Sequence, residues 1–199
     1  MDLKPFRIEP DRPVDLDRIP TDDTYGFDGG KAAGRARTAA LVERLAELQR
    51  RLYAGAAERL LVVLQAPDAA GKDGTIGTVF TGVNPQGVRV VSFKKPDGEE
   101  LAHDYLWRVH RHAPARGDIA VFNRSHYEEV LVVRVHELVP EATWKRRYDH
   151  INAFERMLAD EGTTIVKLFL HLSRDEQAVR FQERIDDPTK HWKFRLGDL

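Results

Sequence analysis

The stretch "QAPDAAGKDGT", residues 65–75, has the spacing of a phosphate-cradling loop with two letters changed. Such a loop reads G-x-x-x-x-G-K-[ST]; here Ala66 stands at the first glycine and Asp73 at the Ser/Thr, while Gly71 and Lys72 are kept. A strand that turns through small residues into a helix leaves backbone N–H groups unpaired at the helix N-terminus, where a phosphate can sit. Ala69, Ala70, Gly71, Lys72, Asp73 and Gly74 are the predicted cradle, and the Lys72 ammonium would reach the outer phosphate oxygens as a point charge. Alanine at position 66 is tolerated if its φ is negative. Asp68 is an anion inside the loop, repulsive to phosphate unless a cation lies between, so the loop predicts Mg²⁺ with Asp68 as a ligand. Spacing alone explains no role for Asp73. The competing reading is an accidental Gly-Lys turn between a strand and a helix.

Three further clusters could do chemistry. "VFNRSHYEE" (121–129) ends a predicted strand, and ligands of open parallel sheets bind outside the carboxyl ends of the strands, so Asn123 and Arg124 are expected in the crevice of the loop. A Walker B strand would end in Asp; this one ends in Asn123. Arg124 would neutralise phosphate charge, and Glu128 or Glu129 would hold a metal or the acceptor. Alternatively Asn123 only caps a helix. Near the end of the chain Arg180, Arg184, Lys190, Lys193 and Arg195 are interleaved with Trp192 and Phe194. Arg180 and Arg184 share a helix face and suit a lid that brings charge to a phosphoryl transition state, although such a run is also the pattern of a solvated surface. In "SFKKPDGEELAHDYLWRVHRH" (92–112), Lys94, Lys95, Arg108 and Arg111 could line a track for a long anion. His103, His110 and His112 form no convincing metal triad and read as exposed helix polars.

The elements that must position these residues alternate. Leu41, Leu45, Leu48 and Leu52 mark one face of a helix from about Arg35 to Tyr53. "RLLVVLQA" is a strand buried on both faces, and Ile76, Val79, Phe80 and Val83 mark a helix after the loop, stopped by Asn84-Pro85. Strands are predicted at 88–93, 118–122 and 163–170, with a helix near 99–112 and another marked by Trp144, Tyr148, Ile151, Phe154 and Leu158. "EEVLVVRVH" is ambiguous, since its valines suit a strand and its position a helix. Ser173 and Glu176 have capping-box spacing for a last helix. The β-α-β-α order argues for an α/β sandwich with a parallel sheet. Residues 1 to about 30, with Pro5, Pro10, Pro13 and Pro20, read as an extended arm, and residues 31–199 as the domain, with a lid at about 173–199.

Composition narrows the class. The 199 residues carry 31 basic and 32 acidic side chains, a formal charge of −1, which argues for neither a nucleic-acid nor a membrane partner. There is no cysteine, so no disulfide framework or thiolate metal site, and no run of about 18 apolar residues. A cytoplasmic location is the expectation.

"DAAGKDGT", "FKKP", "LWRVHRHAPARGDIAVFNRSHYEEVLVVRVH" and "LSRDEQAVRFQERIDDPTKHWKF" occur in that order, and together they resemble the polyphosphate kinase 2 family from about Arg35 onward. His126-Tyr127-Glu128 looks like the class III branch, where other branches tend to show Trp-Tyr-Asn. The resemblance implies a three-layer P-loop kinase-like sandwich, a mostly parallel sheet flanked by helices with a helical lid. It also implies phosphoryl transfer between inorganic polyphosphate and nucleotides (AMP to ADP, ADP to ATP), dependence on Mg²⁺ or Mn²⁺, and a homodimer or homotetramer. It puts Asp68 and Lys72 in the Walker A site and Asn123 and Arg124 at the Walker B strand end. Asn123, Tyr127 and Glu128 would serve the nucleotide acceptor, and Lys94, Arg108, Arg180 and Arg184 polyphosphate. Ala66, Asn123 in place of an Asp, and "FRLGDL" in place of a Ser-Pro step depart from the pattern. Relatives are expected to continue for several dozen residues, so a C-terminal portion is expected to be absent here. The rival functions are an ATP-dependent nucleoside or nucleotide kinase and a non-catalytic polyphosphate- or nucleotide-binding module.

Overall fold

Four apolar runs rich in β-branched residues build one sheet. In the computed structural model, which describes residues 3–193, the elements follow in the order α1 (Gly30–Gly55), β1 (Arg59–Gln65), α2 (Lys72–Val79), β2 (Val88–Ser92), α3 (Gly98–Leu101), α4 (Trp107–His110), β3 (Ile119–Asn123), α5 (Glu128–Val135), α6 (Glu141–Asp160), β4 (Thr163–Phe169) and α7 (Arg174–Asp186). All strand pairs are parallel, in the order β2-β3-β1-β4. The register sets Leu61 of β1 beside Ala120 on one side and Ile165 on the other.

Because strand side chains alternate, β1 and β3 feed two cores. Leu61, Val63, Ala120 and Phe122 point to one face and pack with Val109, Phe154 and Leu158 from α4 and α6. Val62, Leu64, Ile119 and Val121 point to the other and meet Ile76 and Phe80 beside α2, with Leu52 from α1. A sheet with helices on both faces is the three-layer α/β arrangement expected.

Several elements differ from the sequence reading. The first helix begins at Gly30, earlier than Arg35, and its leucine stripe is only partly its buried face: Leu52 packs on the core and Leu45 is half-buried, but Leu41 and Leu48 are exposed, and the fully buried residue is Gln49. Gln49 accepts the Asn84 amide through Oε1 at 3.1 Å. Gly87 makes room for it, since a Cβ there would lie 2.5 Å from Gln49 Nε2. The single helix expected near 99–112 is two short ones. Asp104 Oδ1 accepts the amides of Leu106 (3.0 Å) and Trp107 (3.1 Å), a local cap that restarts the helix. "EEVLVVRVH" is helical: Val130 and Val133 are buried three apart, while Leu131 and Val135 are exposed. Ser173 caps α7 by accepting the Glu176 amide at 3.2 Å.

The chain divides into two compact units. Met1–Leu41, Pro67–Ala70 and His171–Leu199 make one; Val42–Ala66 and Gly71–Leu170 make the other and hold the sheet. Within the first, the segment before α1 has two 3₁₀ turns, Lys4–Phe6 and Leu16–Arg18. His171 Nε2 ties it down by donating to the carbonyls of Leu16 and Ile19, both at 3.1 Å. No helix among the described residues is long and apolar enough to cross a membrane.

Candidate active site

The loop between β1 and α2 takes the shape its small residues permit. Ala66 has no positive φ, which is the condition its tolerance required. The strained alanine is Ala69, buried with φ 61°, in the left-handed region that costs a residue with a Cβ about 1–2 kcal/mol. Gly71, the N-cap of α2, has φ 92°, where glycine alone is unstrained. Thr75 N–H donates back to Gly71 O at 2.9 Å, so α2 starts directly after the turn. Lys72 reaches back across the turn and donates to Ala66 O at 3.0 Å.

Asp73 now has a partner. Its Oδ1 accepts Nδ2 of Asn123 at 2.7 Å, joining the first turn of α2 to the end of β3. A carboxylate in the first turn is favoured by the helix dipole, and an amide donor is what it needs from the neighbouring strand. The bond joins two positions at which the chain departs from the usual pattern, the missing hydroxyl at 73 and the missing carboxylate at 123.

Past Asn123 the chain turns sharply. Arg124 has φ 62° and donates its amide to Leu64 O at 3.1 Å. Ser125 is fully buried; its Oγ accepts the Tyr127 amide and Gln65 Nε2, both at 3.1 Å. Gln65 Nε2 also donates to Glu128 Oε1 at 3.2 Å, and Arg124 lies 3.9 Å from Glu128 Oε2. Asn123, Arg124 and Glu128 are therefore gathered at the carboxyl ends of β1 and β3, where parallel sheets bind ligands. Gln65 and Ser125 went unnoticed in the sequence; the one signal was a polar residue closing each apolar run.

Two residues expected to face ligand are bonded within the protein. Tyr127 points into the protein: its hydroxyl donates to Glu155 Oε1 at 2.7 Å and accepts Lys167 Nζ at 3.0 Å. Burial pushes the phenol up to about 12, so it remains a donor at neutral pH. Arg108, expected on a surface track, is 5% exposed. Its guanidinium donates to Lys94 O (2.9 Å) and Glu100 (3.1 Å), lies 3.8 Å from Glu129, and covers the Phe93 ring at 5.4 Å. With two carboxylates and a ring around it, this arginine holds the 93–108 segment to α5, and of the expected track Lys94, Lys95 and Arg111 remain exposed.

The lid helix α7 meets the loop through side chains on one face. Gln177 Nε2 donates to Asp68 O at 2.8 Å, and Arg180 Nη1 to Ala69 O at 3.3 Å while its Nε holds Glu176 at 2.8 Å. Gln177 was not singled out in the sequence, although it lies three residues before Arg180 and so on the same face. Arg184 stacks over Phe181 at 5.4 Å. The side chains of Trp192, Lys193, Phe194 and Arg195, counted in the expected lid, lie outside the described residues.

No group of three or more His, Asp and Glu side chains gathers as a metal cage among the described residues. Mg²⁺ at phosphoryl sites takes one or two carboxylates and fills its other positions with phosphate oxygens and water. An exposed carboxylate within the loop, Asp68, fits that mode.

Comparison with known proteins identifies the family. Residues 29–199 match the family model described as polyphosphate kinase 2. The chain is 59% identical over 197 residues to the AMP/ADP-polyphosphate phosphotransferase of Meiothermus ruber, covering 99% of this chain and 74% of that protein. It is 49% identical over 208 residues to the ADP-polyphosphate phosphotransferase of Rhodopseudomonas palustris, covering 98% and 72%. The crystal structure of polyphosphate kinase 2 from Arthrobacter aurescens TC1 superposes with a TM-score of 0.90 at 46% identity, over 96% of this chain and 69% of that one.

Proposed function

The chain belongs to the polyphosphate kinase 2 family, and from that premise we propose that it moves phosphoryl groups between inorganic polyphosphate and nucleotides, taking AMP to ADP and ADP to ATP. The observation that carries this reading is the 59% identity, over almost the whole chain, to a relative named for both AMP and ADP. The left-handed turn at Gly71, which opens α2 directly before Lys72, supports it independently, because a helix N-terminus after such a turn is a favoured place for an anion.

Phosphoryl transfer asks little covalent chemistry of a protein; positioning and charge neutralisation supply most of the barrier reduction. Lys72 is assigned the oxygens of the transferred phosphoryl group, and the amides of Gly71 to Gly74 its neighbours along the chain. Arg124 is assigned the phosphate of the acceptor nucleotide, with Glu128 orienting the guanidinium. Asn123 holds Asp73 at the start of α2. Arg180 and Arg184 are assigned the positive charge contributed by the lid. Asp68 is the residue that would hold Mg²⁺ or Mn²⁺, which when bound screens the phosphate charges from one another. A homodimer or homotetramer in the cytoplasm belongs to the same proposal, resting on the family resemblance alone.

The test is incubation with polyphosphate, Mg²⁺ and AMP or ADP, followed by separation of the nucleotides. ADP and ATP formed with polyphosphate as sole donor support the reading. Product from ATP alone as donor would make the protein an ordinary nucleotide kinase.

A further inference from the structure

The segment that presents Arg124 and Glu128 is held from beneath by a polar cluster around the buried Glu155 and His126, to which the reaction assigns no role. Glu155, on α6, is largely buried. Its Oε1 accepts Nε2 of the fully buried His126 at 3.1 Å and the Tyr127 hydroxyl at 2.7 Å; its Oε2 accepts Lys167 Nζ at 2.6 Å. Lys167, on the edge strand β4, also donates to the Tyr127 hydroxyl, so Glu155, Tyr127 and Lys167 close a ring of hydrogen bonds to which His126 is joined through Glu155. His126 and Tyr127 are the two residues between the Arg124-Ser125 turn and the start of α5. That turn is clamped on its other side by Leu64 O and Gln65.

We infer that Glu155 is a positioning residue for phosphoryl transfer, acting through His126 and Tyr127 to fix the direction in which Arg124 and Glu128 face the acceptor; the inference rests on the function proposed above. A left-handed φ at a non-glycine residue persists only where its surroundings over-determine it. At Arg124 the surroundings are two anchors, the β1 end before the turn and Glu155 after it. Glu155 is more than a core polar group in this arrangement, because a buried carboxylate costs stability unless paired, and a single cation would pair it. Two of its three donors instead come from adjacent residues of the segment that carries the site. Lys167 fixes the carboxylate in the orientation that reaches both.

The test compares Glu155→Gln, Lys167→Met and Lys167→Arg with the parent chain, each alone and with Arg124→Ala. Glu155→Gln and Lys167→Met are expected to lower kcat about tenfold to a hundredfold with little change in the KM for polyphosphate, the scale of a misplaced positioning group. Lys167→Arg is expected to recover most of the rate. In the Arg124→Ala background Glu155→Gln is expected to add almost no further loss, since it acts through the group already removed. Full additivity, or a loss that Lys167→Arg does not recover, would overturn the inference. If Glu155→Gln does not fold, Tyr127→Phe removes one donor alone and is judged by the same cycle. Amide hydrogen exchange over residues 124–128 is a readout independent of turnover: faster exchange confined to this segment in Glu155→Gln is expected, and unchanged exchange refutes the positioning role. A parent chain that makes no product from polyphosphate would refute the proposed function, and the exchange comparison would then decide the positioning role separately.

Discussion

Asn123 Nδ2 and Asp73 Oδ1 are fifty residues apart in sequence and 2.7 Å apart in space, and this one bond ties the start of α2 to the end of β3. Asn123→Asp would set two carboxylates against each other. The expected outcome is a loss of about 1–2 kcal/mol at neutral pH in urea denaturation, the cost of replacing a donor by a like charge at a half-exposed site. Combining it with Asp73→Asn reverses the polarity of the bond and is expected to restore most of that stability; a double variant no more stable than Asn123→Asp would contradict the pairing.

Lys72→Ala and Asp68→Asn are each expected to lower polyphosphate-dependent turnover at least about a hundredfold, the scale of losing one electrostatic stabiliser of a phosphoryl transition state. Thermal melting should show both variants folded, since the lysine bonds a loop carbonyl and Asp68 is exposed. Near-normal rates in either would refute its assignment.

Arg108 and Lys94 separate structural charge from surface charge. Arg108→Met leaves Glu129 with Arg147 at 2.5 Å but takes from Glu100 its buried partner, and a loss of about 3–5 kcal/mol is expected in denaturation. Lys94→Met is expected to stay within about 0.5 kcal/mol of the parent, because its side chain is exposed. If polyphosphate runs over this surface, Lys94→Met raises its KM without changing stability.

Glu155 predicts a pH window for stability. Burial alone would raise its carboxyl, but the hydrogen bonds from His126, Lys167 and Tyr127 outweigh burial and hold it at about 2, below the usual 4.5. A depressed folded-state value means the stabilisation is fully present above about 4.5 and is lost as pH falls toward 2. The stability difference between the parent and Glu155→Gln is therefore expected to shrink as pH falls from about 4.5 toward 2; a difference that does not change across that window would contradict it.

Local chemistry was legible in the residues themselves. The apolar runs at 59–65 and 119–123, the Gly71-Lys72 turn and the Ser173 cap each depend on neighbours in the chain, so strands, loop and the start of the lid helix could be read from order and spacing. The placement of Asn123 and Arg124 at a strand end followed from the parallel topology that β-α-β alternation imposes. What required the tertiary structure were relationships across long sequence separations: Asp73 with Asn123, Gln65 with Ser125 and Glu128, Gln177 with Asp68, and Glu155 with His126, Tyr127 and Lys167. Arg108 was misread for the same reason. Side-chain type states what a residue can bond, but burial and partner are set by how distant elements pack, and those decide whether a charge meets a ligand or a neighbouring carboxylate.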